Sequence, residues 1–184
     1  MDRRQQKTRK AVLAAFEELS SRKRYEQITV QDIIDKADIG RSTFYAHFET
    51  KDSVLDAICT DLFSHIFEEN PGREAGHDFS KTDNTLRDRQ THILFHLMED
   101  QKRYGRLFSG ESAELFWEYF RRWFEKALRE DIRGKLKTKK LTVPERLYTL
   151  LYIGTFIETV KWWFEENCAH TPEQVEKYFE EIMS

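Results

Sequence analysis

The chain has 184 residues, 39% hydrophobic and 34% charged, and its 7 Gly and 3 Pro leave little room for the many tight turns of a β fold. An all-α protein is expected, of one ordinary domain or of a small module sharing its core with a larger one. The formal net charge of −3 is unevenly spread: residues 1–55 hold 11 Lys/Arg against 9 Asp/Glu, residues 56–184 hold 19 against 24, and the first 25 hold 8 against 3. A basic N-terminal arm on an acidic chain fits a nucleic-acid binder, because phosphate attraction depends on the local patch; a frayed, solvated tail fits the same charge count.

No signal peptide follows "MDRRQQKTRK", and the longest nearly apolar stretch, 147–157, is too short to span a bilayer, so a soluble, cytoplasmic protein without a membrane partner is expected. Cys59 and Cys168 stand far apart with no CxxC or His-rich neighbour, which leaves disulfide, zinc and redox frameworks unsupported and makes both packing residues. No cofactor is implied.

In chain order, Ala11, Val12, Ala15, Phe16 and Leu19 recur at helical spacing and predict a first helix over about residues 8–22. Thr29 and Asp32 form a Thr-x-x-Asp start signal for a second helix, with Ile33, Ile34 and Ala37 facing inward and a stop near Asp38. A turn of about three residues containing Gly40 leads to a third helix, Arg41 to Phe48, in a helix-turn-helix arrangement. A fourth begins at Thr50 and carries Val54, Leu55, Ile58, Leu62 and Ile66 on one side. A loop at 71–84 precedes helices expected at about 84–101, 111–133, 144–167 and 172–183, with a short turn around 103–109. Pro144 and Pro172 fit first-turn positions, and Gly134 with "KLKTKK" fits a helix end and an exposed loop.

The third helix raises the functional question. Phe44 and Phe48 share a face and turn inward with Ile39, which leaves Arg41, Ser42, Thr43, Tyr45 and His47 outside. Compact donors beside an Arg near a helix N-terminus suit a major groove: Arg bonds guanine bidentately, and Ser and Thr adapt to bases or phosphates. Tyr45, His47 and Lys51 lie along the rim, where their donors reach phosphates. Spacing alone leaves a hydroxyl-rich surface helix as the alternative.

The segment "ITVQDIIDKADIGRSTFYAHFETKDSVL" resembles the N-terminal DNA-binding domain of the tetracycline-repressor (TetR) family of bacterial regulators, through Thr29, Ile33, Ala37, "TFYAHF" and Lys51. The resemblance covers roughly residues 8–58. It implies a homodimer whose third helices enter the major groove of a near-palindromic operator, with Arg41, Ser42, Thr43 and Ala46 toward bases and Thr29, Tyr45, His47 and Lys51 toward phosphates. Two departures stand out: Asp38 where the family often has Gly, and Gly40 where it often has Ser at the start of helix three. Gly tolerates the cap position at the loss of a hydroxyl, and Asp38 is expected to point away from DNA.

The domain division that follows is 1–55 for DNA binding and 56–184 for regulation and dimerisation. The resemblance implies that the second part both dimerises and senses an inducer. Leu147, Leu151, Gly154, Glu158 and Lys161 have the spacing of a helix seam, for a dimer or for packing within one protomer, and Gly154 allows close helix contact. Of the 25 aromatic residues, 20 lie in 56–184, and Phe95, Tyr104, Phe116, Phe120, Tyr152, Phe156 and Trp163 form a core or line a cavity for an apolar or planar inducer. His92, His96 and Glu158 are its candidate polar anchors. His92 and His96 are also spaced for a metal, but no HExxH pattern is formed and no motif marks Glu99 or Asp100 as a third ligand, so solvated or core histidines are the favoured reading. With no nucleophile elbow, phosphate loop or acid/base pair, an enzyme is not expected.

A ligand-responsive repressor is therefore the leading expectation. Control by a protein co-regulator docked on the C-terminal part is the second, and a small-molecule or metal-binding protein with a vestigial head the third.

Overall fold

The computed structural model describes residues 3–63, 78, 79, 83, 85–99, 101, 108, 113–140 and 142–184. Among them the protein is all-helical: α1 Arg3–Ser20, a single 3-10 turn Tyr25–Gln27, α2 Val30–Ala37, α3 Arg41–Tyr45, α4 Lys51–Phe63, α5 Leu86–Glu99, α6 Ala113–Thr138, α7 Glu145–Glu165 and α8 Pro172–Ile182. All of the expected turn around 103–109 except Phe108, most of the loop at 71–84, and Ile66 of the fourth helix lie outside the described residues.

Four of these helices begin with the same local device. Thr29 accepts the Asp32 amide at 3.1 Å while the Asp32 carboxylate takes the Thr29 amide at 2.8 Å. Thr50 and Ser53 opening α4, Thr85 and Asp88 opening α5, and Thr171 and Gln174 opening α8 repeat it. Each pair satisfies two amide donors that a helix start leaves free, so the starts are written in residues three apart.

Three boundaries differ from expectation. Helix α1 starts at Arg3 rather than near residue 8, because Arg, Gln and Lys are good helix formers and no breaker interrupts them. Helix α3 closes at Tyr45 instead of Phe48, although the Phe48 amide still bonds the Phe44 carbonyl at 2.9 Å. Helix α6 runs through Gly134 to Thr138, where an end was expected. Long-range partners hold that last turn: Lys135 Nζ lies 2.6 Å from Glu180 Oε1, and Lys139 Nζ donates to the Met183 carbonyl at 2.9 Å. Together they offset the roughly 1 kcal/mol that a mid-helix Gly costs.

The described residues within Met1–Asp61 and Asp100–Tyr119 form one packed unit, and those within Leu62–Glu99 and Phe120–Ser184 a second. In the first, α1 packs on α2 and α2 on α3 over a core that includes Val12, Phe16, Ile33, Phe44 and Phe48. In the second, α8 packs on α5 and α7, around Leu94, Phe124, Tyr152, Phe156, Trp163 and Phe179. Cys59 is fully buried and burial pushes its thiol well above the ordinary value, while Cys168 is partly exposed; both thiols are free.

Candidate nucleic-acid interface

The turn between α2 and α3 is set by Asp38, which caps α2 in the left-handed region (φ 52°, ψ 53°) with its amide turned back to Asp35 and Ile34. Glycine reaches that conformation without steric cost, and Asp is one of the few other residues that visit it. Gly40 then opens α3 as an N-cap in extended conformation with no side-chain bond, and its carbonyl takes the Phe44 amide at 3.0 Å.

Burying Phe44 completely, and Phe48 to 4%, fixes the roll of α3, since residues four apart lie on one face. Their rings are 5.8 Å apart. The opposite face then presents Arg41, Ser42, Tyr45 and Ala46 to solvent, with Thr43 and His47 at its half-buried edge. Tyr45 is 49% exposed, an unusual position for a large aromatic ring beside a buried Phe44. The structure thus brings six of the eight sequence-predicted residues onto one short stretch.

The other two are tied into the fold. Thr29 is exposed, but its hydroxyl both accepts the Asp32 amide and donates to the Asp32 carboxylate at 2.7 Å. Lys51 Nζ donates to the Tyr25 carbonyl at 2.8 Å and the Ile28 carbonyl at 3.0 Å, and lies 4.1 Å from the centre of the Tyr25 ring. An ammonium has three donors, so one remains for a phosphate. The Tyr25 hydroxyl donates to the Asp52 carboxylate, and burial together with that carboxylate pushes its pKa far up.

Electrostatics reinforce this frame. Lys23 lies 2.8 Å from Asp32, and with the Thr29 amide and hydroxyl it holds the Asp32 carboxyl well below the usual carboxylate range. Lys36 pairs with Glu18 across α2 and α1 at 2.6 Å, and Arg9 with Asp61 at 2.5 Å. Arg3, Arg4, Lys7 and Lys10 stand exposed along α1, so the basic arm is helical. Sequence reasoning missed Gln31, whose side-chain oxygen accepts from Arg41 at 3.0 Å while its amide nitrogen donates to Asp35 at 2.7 Å. Partners ten residues apart across a turn leave no spacing signal.

The residues expected around an inducer are spread through the fold. Phe116 packs with Phe108 and Trp117, Phe120 with Phe63 and Phe124, and Phe156 with Phe124 and Phe179. Tyr152 is buried against Phe179 and donates to Gln90 at 2.9 Å, and the Trp163 indole N–H donates to the His170 carbonyl at 2.9 Å. Tyr104 lies outside the described residues. His92 and His96 are buried with their Nε2 atoms 3.1 Å apart, His92 stacked on Phe79, and no group of three metal-capable side chains occurs among the described residues. Phe95 borders a cavity that also reaches Arg87, Glu173 and Glu176. Glu176 was missed, yet it occupies a core position of the α8 stripe Pro172, Val175, Glu176, Phe179, and a charge in such a position is a readable signal.

The seam residues of α7 share an outward face: Leu147 and Leu151 are 46% and 57% exposed, Glu158 is exposed, and Gly154 and Lys161 are partly so. Leu150 and Trp162 add to it, and Trp162 borders an apolar groove of about 730 Å³ with Thr155, Tyr178 and Ile182. No described helix is long and apolar enough to cross a membrane.

Comparison with known proteins agrees with this arrangement. Residues 12–58 match the model for bacterial regulatory proteins of the tetR family, and residues 84–184 match a transcriptional regulator C-terminal region. A TetR transcriptional regulator from Streptococcus agalactiae is similar in structure over 97% of this chain and 94% of its own, with 34% identity and a TM-score of 0.69. The fatty acid degradation regulator FadR of Bacillus halodurans, 16% identical with a TM-score of 0.56, shares the fold. Among curated sequences, the activator DhaS of the Lactococcus lactis dhaKLM operon is 35% identical over 63 residues, 34% of each chain. The uncharacterised regulator YxbF of Bacillus subtilis is 35% identical over 71 residues, 36% of this chain and 19% of its own. The chain thus matches only a fifth to a third of the length of these curated relatives. With both parts of the chain matched, the protein belongs to the TetR family of helix-turn-helix transcriptional regulators.

Proposed function

We propose that this DNA-binding regulator is a homodimeric repressor that binds a near-palindromic operator and releases it when a small molecule occupies the C-terminal part. The observation that carries the reading is the outward face of α3, where an Arg, two hydroxyls and an exposed Tyr stand above a completely buried Phe44. On this reading Arg41, Ser42, Thr43 and Ala46 meet base edges, and Thr29, Tyr45, His47 and Lys51 hold phosphates. Residues 1–55 form the reading head and 56–184 the regulatory part, acting in the cytoplasm without catalysis.

The exposed α7 leucines support a dimer, because a contiguous apolar face of this kind marks an interaction surface and two linked half-sites multiply the affinity of one short helix. Among the described residues outside its own helix backbone and adjacent residues, a Cβ on Gly154 would have only the Arg121 guanidinium near it, at 3.8 Å, which supports close approach of a partner helix there.

The test is fluorescence anisotropy of labelled genomic fragments, including DNA upstream of the protein's own gene, at two salt concentrations with competitor DNA. One fragment is expected to bind far above the rest with a steep salt dependence. Arg41→Ala is expected to lose discrimination between fragments, and Tyr45→Phe to weaken all binding alike. Weak, uniform binding by the unliganded protein would turn the search to a protein co-regulator.

A further inference from the structure

Arg41 opens α3 from an exposed position, and among the described residues its side chain has one polar partner, Gln31, whose Oε1 accepts from Arg41 Nη2 at 3.0 Å. No described carboxylate pairs with it. Gln31 is exposed too, and its Nε2 donates to Asp35 Oδ1, one turn further along α2, at 2.7 Å. The amide cannot be turned round between these neighbours: a guanidinium only donates and an ionised carboxylate only accepts, so the oxygen has to face Arg41 and the nitrogen Asp35. A directed line of hydrogen bonds thus runs from α3 into α2.

Both ends of that line are fixed by the fold. Gln31 is the second residue of α2, behind the cap that Thr29 and Asp32 form and beside the buried Ile33 and Ile34, while Arg41 rides on the backbone that the buried Phe44 orients. The chemistry of Gln31 matters as much as its place. A carboxylate there would cancel the Arg41 charge and compete with DNA for it, whereas a neutral acceptor directs the guanidinium, takes a single N–H and leaves the other donors for the O6 and N7 of a guanine. An Arg side chain held in this way also loses less rotamer freedom when it meets a base edge.

We propose that Gln31 is a positioning residue for DNA reading, which orients the Arg41 guanidinium for a base edge before DNA arrives, with Asp35 anchoring the Gln31 amide. This role rests on the assignment of Arg41 to base edges, and it gives α2 a part in sequence discrimination without a base contact of its own.

The experiment compares the wild-type full chain with Gln31→Met, Arg41→Ala and the double variant. Anisotropy titrations of the best-bound genomic fragment and of competitor DNA at two salt concentrations give the discrimination ratio and the salt slope, and each protein is melted without DNA. Methionine keeps the length and helix propensity of Gln31 but offers the guanidinium no amide oxygen. Gln31→Met is expected to lower the discrimination ratio about three- to tenfold, the cost of ordering one long side chain on binding. The salt slope should not change, because no phosphate contact is removed, and neither should the melting temperature, because the side chain is exposed. On top of Arg41→Ala, Gln31→Met should cost nothing further, since a residue that acts only through another has no effect once that other is gone. Unchanged discrimination in Gln31→Met, the same loss in the Arg41→Ala background, or a lowered melting temperature would overturn the positioning role alone. A wild type without discrimination, or an Arg41→Ala variant that retains it, would overturn the assignment of Arg41 to a base and the positioning role with it.

Discussion

Asp38 carries the sharpest consequence at the scale of single residues. Its left-handed backbone is one that Gly adopts without steric cost, which makes Asp38→Gly a stabilising change of about 0.5–1 kcal/mol. Urea unfolding should show a higher midpoint at unchanged slope; a lower midpoint would mean that the Asp side chain contributes more than its backbone costs. That departure was visible in the sequence, but its conformation was not, since Asp is compatible with several turn geometries. Gln31 and Tyr25 mark the limit of legibility at this scale. Their partners, Arg41 and Asp52, are 10 and 27 residues away, and only the packing of α2 on α3 and of the Tyr25 turn on α4 brings them together.

At the scale of elements, what is local was legible and what is secured from a distance was not. The Thr29 and Thr50 starts could be read because the cap and its partner are three residues apart. The end of α6 could not, because Gly134 signals a stop and the lysines that carry the helix past it are held by Glu180 and Met183. Gly134→Ala tests this account. Among the described residues, no atom beyond the helix's own backbone and the adjacent residues lies within 4 Å of the Cβ it would add, so the change should stabilise the protein by about 0.5–1 kcal/mol, the helix propensity difference alone. A loss of stability in thermal or urea unfolding would mean that the glycine relieves a crowding or bend that the structure does not show.

For the whole molecule, the outward face of α7 is decisive. Leu151 is 57% exposed, so Leu151→Glu should leave the protomer folded, with unchanged helical circular dichroism. In a twofold dimer through α7, however, the substitution sets a buried charge on each side of the seam. Sedimentation is expected to change from dimer to monomer, with operator affinity falling by at least about a hundredfold as paired half-site binding is lost. A variant that remains dimeric would move the interface off this face. The seam spacing was legible in the sequence, but the same heptad-like pattern serves a dimer and internal packing, and the exposures only support the dimer proposed above.

The pair of residues that opens α4 has a mechanical meaning. Lys51 holds the Tyr25 and Ile28 carbonyls and Asp52 holds the Tyr25 hydroxyl, so the first turn of α4 is bolted to the segment that feeds directly into α2. Torque applied to α4 is therefore not absorbed by a soft joint at that turn. On the proposed reading a rotation of that turn passes through the bolt into α2 and onward to α3, so these three helices are expected to turn together.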